Sequence, residues 1–240
     1  MSARLSLLSL LAALALPAPA HAYLDAASFE ADPTTGGGGG RFFTGSPRDG
    51  YGCAVCHRGG TAPVPEILGL PADGIVPGTR YVIELRYADT LDQLSAIAEI
   101  ATESGEPAGT LVPLSSAEIT MDERCADGDP ALELVVSGDR TLARIDPCGA
   151  TRARFAWTAP DTAAPLRLHL SSVNGDRSGT TLGDGASTVL RPLSALGAPP
   201  SAAGTLAQRC AAAPGARSAA LPLASLFALA LFLARRAARA

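Results

Sequence analysis

Lysine is missing from all 240 residues, so the 19 cationic side chains are arginines. Arg4, Arg217, Arg235, Arg236 and Arg239 lie outside residues 23–210, and every acidic residue lies inside them. The formal charge of −4 for the whole chain is therefore about −9 for that central part. An acidic segment with no basic cluster lacks the electrostatic footprint of a nucleic-acid binder. Histidine is nearly as scarce. Of three, His21 falls in an N-terminal leader, which leaves His57 and His169. No Gly-x-Ser-x-Gly, His-Glu-x-x-His or phosphate-loop pattern occurs. Hydrolytic chemistry has nothing to be built from, and no enzymatic activity is expected.

Long apolar runs are confined to the ends. Arg4 precedes an apolar run over residues 5–16, and Ala20-His21-Ala22 is a small-residue cleavage site. Residues 1–22 read as a secretory signal peptide, with cleavage before Tyr23 and a run too short to span a bilayer. Residues 218–234 are nearly all alanine, leucine and phenylalanine, and arginines follow. This run is at the short limit for a spanning helix, with the arginines on the cytoplasmic side. Both ends place the middle of the chain outside the cytoplasm.

Helical periodicity is almost absent between these ends, and strand periodicity takes its place. Residues 23–44 form a polar lead with glycines from Gly36 to Gly40, expected as a flexible spacer. Tyr81, Ile83, Leu85 and Tyr87 alternate with Arg80, Val82, Glu84 and Arg86, the period of a half-buried strand. Residues 94–101 are small and apolar, and their length and flanks favour a strand. Residues 132–136 and 141–145 read as a hairpin around Ser137-Gly138-Asp139. Ala153, Phe155 and Trp157 share one strand face; Leu166, Leu168 and Leu170 face inward on another, with Arg167, His169 and Ser171 outward. A last strand is expected over residues 187–190. Seven or more short strands at this spacing indicate an all-β sandwich with one core over residues 45–193. Residues 194–217 are an Ala/Pro/Gly linker.

Five cysteines remain: Cys53, Cys56, Cys125, Cys148 and Cys210. The first two belong to Gly52-Cys53-Ala54-Val55-Cys56-His57, a Cys-x-x-Cys-His sequence among glycines. Two thiols three residues apart, followed at once by an imidazole, form the attachment signature of a c-type haem. The thiols add across the porphyrin vinyl groups, and His57 is the expected proximal iron ligand. A redox dithiol or half of a zinc site shares the spacing. Cys125 and Cys148 flank the predicted hairpin and are expected to bridge, a link worth about 2–4 kcal/mol; pairing of each with Cys53 or Cys56 is the alternative.

The order of several short motifs carries a resemblance. Phe43-Thr44-Gly45-Ser46-Pro47 runs into the Cys-x-x-Cys-His loop. Val76-Pro77-Gly78-Thr79-Arg80-Tyr81-Val82-Ile83 follows, then Arg154-Phe155-Ala156-Trp157-Thr158-Ala159-Pro160 and Ser172-Val173-Asn174-Gly175-Asp176. Over residues 42–192 this order resembles the bacterial Reeler-like domain of the choice-of-anchor type. The resemblance implies an immunoglobulin-like sandwich on an exported, surface-held protein. Cys210, the spacer, the apolar run and the final arginines resemble the myxobacterial (MYXO-CTERM-like) C-terminal sorting tag. That implies cutting by a membrane-embedded sorting protease, loss of residues 218–240 and a lipid on Cys210, which accounts for the odd cysteine.

A second axial ligand for haem would come from Met121 or His169, since the chain holds no other internal methionine or histidine outside the leader. His169 is expected to be exposed on its strand, and Met121 to pack in the core. The acids Asp122, Glu123, Asp127 and Asp129 could hold calcium but lack EF-hand spacing and read as solvated turn residues, as do Asp176 and Asp184. Two functions are thus expected: an exported, lipid-anchored protein with one haem for electron transfer or ligand binding, met by a redox or surface partner, or a haem-free adhesive or scaffolding module stapled by disulfides. The tag reading makes its own prediction. Cys210→Ala should block normal processing and surface delivery, followed by immunoblot of cell fractions, and unchanged processing would remove the lipid-anchor role.

Overall fold

The alternating stretches become strands in a computed structural model that describes residues 26–196, apart from 36, 89–90, 92 and 162–163. The signal segment, Cys210 and the arginine-flanked tail lie outside the described residues. In chain order come a short helix α1 (Ala26–Glu30) and nine strands: β1 (Glu66–Leu68), β2 (Arg80–Arg86), β3 (Leu94–Thr102), β4 (Thr110–Pro113), β5 (Leu132–Ser137), β6 (Arg140–Ile145), β7 (Arg152–Thr158), β8 (Leu166–Asn174) and β9 (Gly185–Leu193). They pair antiparallel into a four-stranded sheet, β1-β2-β7-β4, and a five-stranded sheet, β5-β6-β3-β8-β9. The all-β sandwich expected from the sequence is the architecture observed.

Between the sheets lies one apolar core. Ile83 and Leu85 of β2, Phe155 and Trp157 of β7, Ile100 of β3 and Leu168 and Leu170 of β8 meet there, each almost fully buried. Such burial stabilises by about 25 cal/mol per Å² of apolar surface removed from water. Trp157 keeps its one polar atom satisfied by donating Nε1–H to the Ala108 carbonyl at 2.9 Å. The Cys125–Cys148 disulfide closes the base of the β5–β6 hairpin.

The five-stranded sheet is also covered on its outer face. Ile97, Val135 and Leu142 form a second apolar cluster there with Phe29 of α1 and Phe42, whose rings stack 5.1 Å apart. Residues 26–44 are therefore a third layer and not the flexible spacer their glycines suggest. The cover explains β3, where seven of nine residues are buried. A strand buried on both faces reads as a continuous apolar run. It also corrects His169, which points away from the main core as expected yet is 2% exposed. Burial lowers its pKa, against the opposing pull of the Glu99 carboxylate. Met121 departs in the other direction. It sits on a 3-10 turn, Met121–Glu123, and is 80% exposed. Glu123 of the same turn is buried against Arg154 at 2.6 Å, so it is not a solvated turn residue.

An ion network pins the third layer down. Arg140 of β6 donates to Asp49 at 2.8 and 3.1 Å and to Glu99 of β3 at 2.6 and 3.1 Å. Asp49 also accepts the backbone N–H groups of Phe42 and Thr44, and the Thr44 hydroxyl lies 2.7 Å from both carboxylates. Burial works to raise the Asp49 pKa, but Arg140, Thr44 and Phe42 outweigh it and hold the carboxyl below its ordinary 3.8. A depressed carboxyl contributes stability that is present above the unfolded pKa and lost as pH falls through the folded one. Urea unfolding should therefore show stability declining below pH 4. Arg140→Met, which strands two buried carboxylates, should cost about 3–5 kcal/mol in the same assay at pH 7.

Candidate functional site

The Cys-x-x-Cys-His loop is set down on β8 and β9 by residues that have no side chain to obstruct it. A Cβ on Gly52 would lie 2.0 Å from Thr188 Oγ1 and 2.7 Å from Ser171 Oγ, so only glycine permits this approach. A single 3-10 turn, Cys53–Val55, follows, and the N–H groups of Cys56 and His57 both donate to the Cys53 carbonyl. The chain then runs beside the β8–β9 loop. Arg58 donates to Thr181, Gly183 to Arg58 and Gly60 to Asp184, all between 2.9 and 3.1 Å.

These backbone bonds bring His57 to Asp184, 127 residues away in sequence, with Nδ1 2.7 Å from the Asp184 carboxylate. Asp184 is buried, and its other oxygen accepts the Asp176 N–H at 2.9 Å. A carboxylate fixed in this way accepts a hydrogen bond from Nδ1–H and leaves Nε2 as the nitrogen free to ligate a metal. The arrangement differs from the solvated turn expected for Asp184. Sequence reasoning missed the pair because nothing in a Gly-Asp-Gly turn announces an imidazole so far along the chain.

Cys53, Cys56 and His57 line a cavity of about 450 Å³. Phe29, Phe42 and Phe43 of the third layer wall it, and Ile97 and Val173 from the outer face of the five-stranded sheet complete its apolar surface. Both thiols are unbridged. The Cys53 sulfur is tucked inward, 3.9 Å from the Phe43 carbonyl, and burial pushes its pKa up to about 12. Cys56 is exposed. A thiol protonated so firmly is a poor nucleophile, which argues against a thiol–disulfide exchanger. Among the described residues, no three of His, Cys, Asp or Glu converge on a point that could hold a metal ion. Cys53, Cys56 and His57 therefore lack the convergence of a zinc site, and Asp122, Glu123, Asp127 and Asp129 that of a calcium site. Haem makes a different demand: its thiols bond to the porphyrin edge, and only the imidazole meets the metal. The donor set and the apolar walls fit that group. Neither His169 nor Met121 lines the cavity.

No family model matches this chain, and no curated protein does. Among solved structures it is similar to the reeler domain of human F-spondin, at 18% identity and a TM-score of 0.40, over 58% of this chain and 92% of that one. A second F-spondin structure, described as its Reelin-N domain, gives 18% and 0.38 over 58% and 94%. AggA, the major subunit of aggregative adherence fimbriae type I from Escherichia coli, gives 8% and 0.32 over 57% and 95%. Reeler domains are thus structural neighbours, at scores that carry no argument about activity.

In protein without haem the two thiols should part company in solution. Iodoacetamide at pH 8 should alkylate Cys56 and leave Cys53 unmodified until denaturant is added, read by peptide mass spectrometry; rapid labelling of Cys53 in the native protein would restore the exchanger.

Proposed function

We propose that this chain is an exported, Reeler-like sandwich that carries one c-type haem, bonded through Cys53 and Cys56 and ligated by His57. The observation that carries the reading is the convergence of three features on one cavity: a paired thiol motif, an imidazole oriented by a buried carboxylate, and aromatic walls. When bound, haem supplies electron transfer or binding of a small ligand. The chain's own residues do the rest. Asp184 orients His57, Phe42 and Phe43 exclude water, and the loop's backbone bonds to residues 181–184 keep the motif in place. The Cys125–Cys148 bridge fits an oxidising compartment, where two further unbridged thiols need another bonding partner.

Around this site the role is one of binding and not turnover, on a protein held at the cell envelope by lipid on Cys210 after the sorting protease has acted. A redox protein or a surface protein is its partner. A second reading, favoured by the disulfide-closed sandwich alone, is a haem-free surface scaffold or adhesive module.

Protein purified from a host that matures c-type cytochromes decides between them. A Soret band that survives acid-acetone extraction is expected, and it should vanish in the Cys53→Ala/Cys56→Ala double variant. Colourless, correctly exported wild-type protein would leave the scaffold reading.

A further inference from the structure

We infer that a haem ligated by His57 receives no second axial ligand from the described residues, so that the site binds a neutral diatomic molecule such as carbon monoxide or nitric oxide. This rests on the haem reading above and narrows it from electron transfer to ligand capture. Closing the second position takes an imidazole, a thioether, an amine, a thiolate or a phenolate from the protein. The chain has no lysine, so side-chain amines are excluded at the outset.

Apart from Cys53, Cys56 and His57, no donor of these kinds among the described residues lines the cavity. His169 belongs to β8, whose backbone pairs at this position with Glu99 of β3 on one side and Leu190 of β9 on the other. Its ring is buried and does not line the cavity. Met121 is further removed. Its turn is tied by Glu123 to Arg154, a residue of β7 whose neighbours Phe155 and Ala153 face the core. Arg154 therefore lies on the outer face of the four-stranded sheet, whereas the cavity is built on the outer face of the other sheet. Both sheets stand between Met121 and His57.

The other cysteine and tyrosine side chains among the described residues are also placed. Cys125 and Cys148 are bridged. Tyr81 stacks on Trp157, and the Tyr87 hydroxyl bonds to Ser172 at 2.7 Å. Tyr51 is exposed and does not line the cavity. His57 is thus the one axial donor that the described residues offer at this site. The Asp184 carboxylate on Nδ1 orients that imidazole and makes it the more electron-rich donor.

The test is a carbon monoxide titration of the reduced holoprotein, at low and high protein concentration, with covalent haem quantified in the same sample by acid-acetone extraction. The expected result is a broad five-coordinate spectrum that converts to a sharp, shifted Soret band within mixing time at one equivalent of carbon monoxide. Sharp, split visible bands before addition, unchanged by saturating carbon monoxide, would overturn the inference while the haem reading stands. If those split bands occur only at high concentration, a second copy supplies the ligand and the inference also fails. No extractable-resistant haem would remove both readings together.

Discussion

The guanidinium of Arg140 ties the N-terminal layer to two paired strands of the five-stranded sheet. It lies between Asp49 of the N-terminal layer and Glu99 of β3, and it also sits 5.0 Å from the centre of the Phe42 ring. Two carboxylates and one cation out of water are costly, and such groups persist only where further hydrogen bonds satisfy them. Phe42 and Thr44 provide these from the backbone. The network thereby sets where residues 42–49 lie on the sheet. Phe42 and Phe43 become cavity walls as a result, and the chain is delivered to Gly52 at the height where the cysteine loop can settle on Thr188.

The site is assembled from two loops and owes its order to contacts between main chains. Gly52 lets the cysteine loop settle on Ser171 and Thr188, Gly60 lets it meet residues 183–185, and the hydrogen bonds of Arg58 and Gly60 then fix the two loops together. His57 and Asp184 meet as a consequence of that fit. The His57–Asp184 hydrogen bond is therefore positioned by neutral neighbours.

How much of this was legible differs from strand to strand. On β2 the outer face is polar and open, so alternation alone identified which residues face the core. On β8 the same rule identified the core face through Leu166, Leu168 and Leu170 but misjudged the other, because a covering layer turned an expected surface into an interior. The cover was hidden by composition: a glycine run reads as a spacer, and two phenylalanines beyond it give no period to count. Cys53, Cys56 and His57 were legible as a motif, whereas Asp184, Asp49 and Glu99 act through partners tens of residues away. Pairing of Cys125 with Cys148 was one option among several until the hairpin brought the two together. Met121 was judged by its apolar character, but its short turn is held by Glu123 and leaves the methionine outside.

β9 also fixes a direction. It begins at Gly185, one residue after Asp184, and ends at Leu193, and eight steps of strand separate these points by roughly 26 Å. Beyond it, Ser194 and Leu196 bond to Ile75, which fastens the departing chain to the far end of the sandwich. Within the described residues the chain thus runs the length of one strand away from Asp184, and its last fastening lies at the pole opposite the His57 loop.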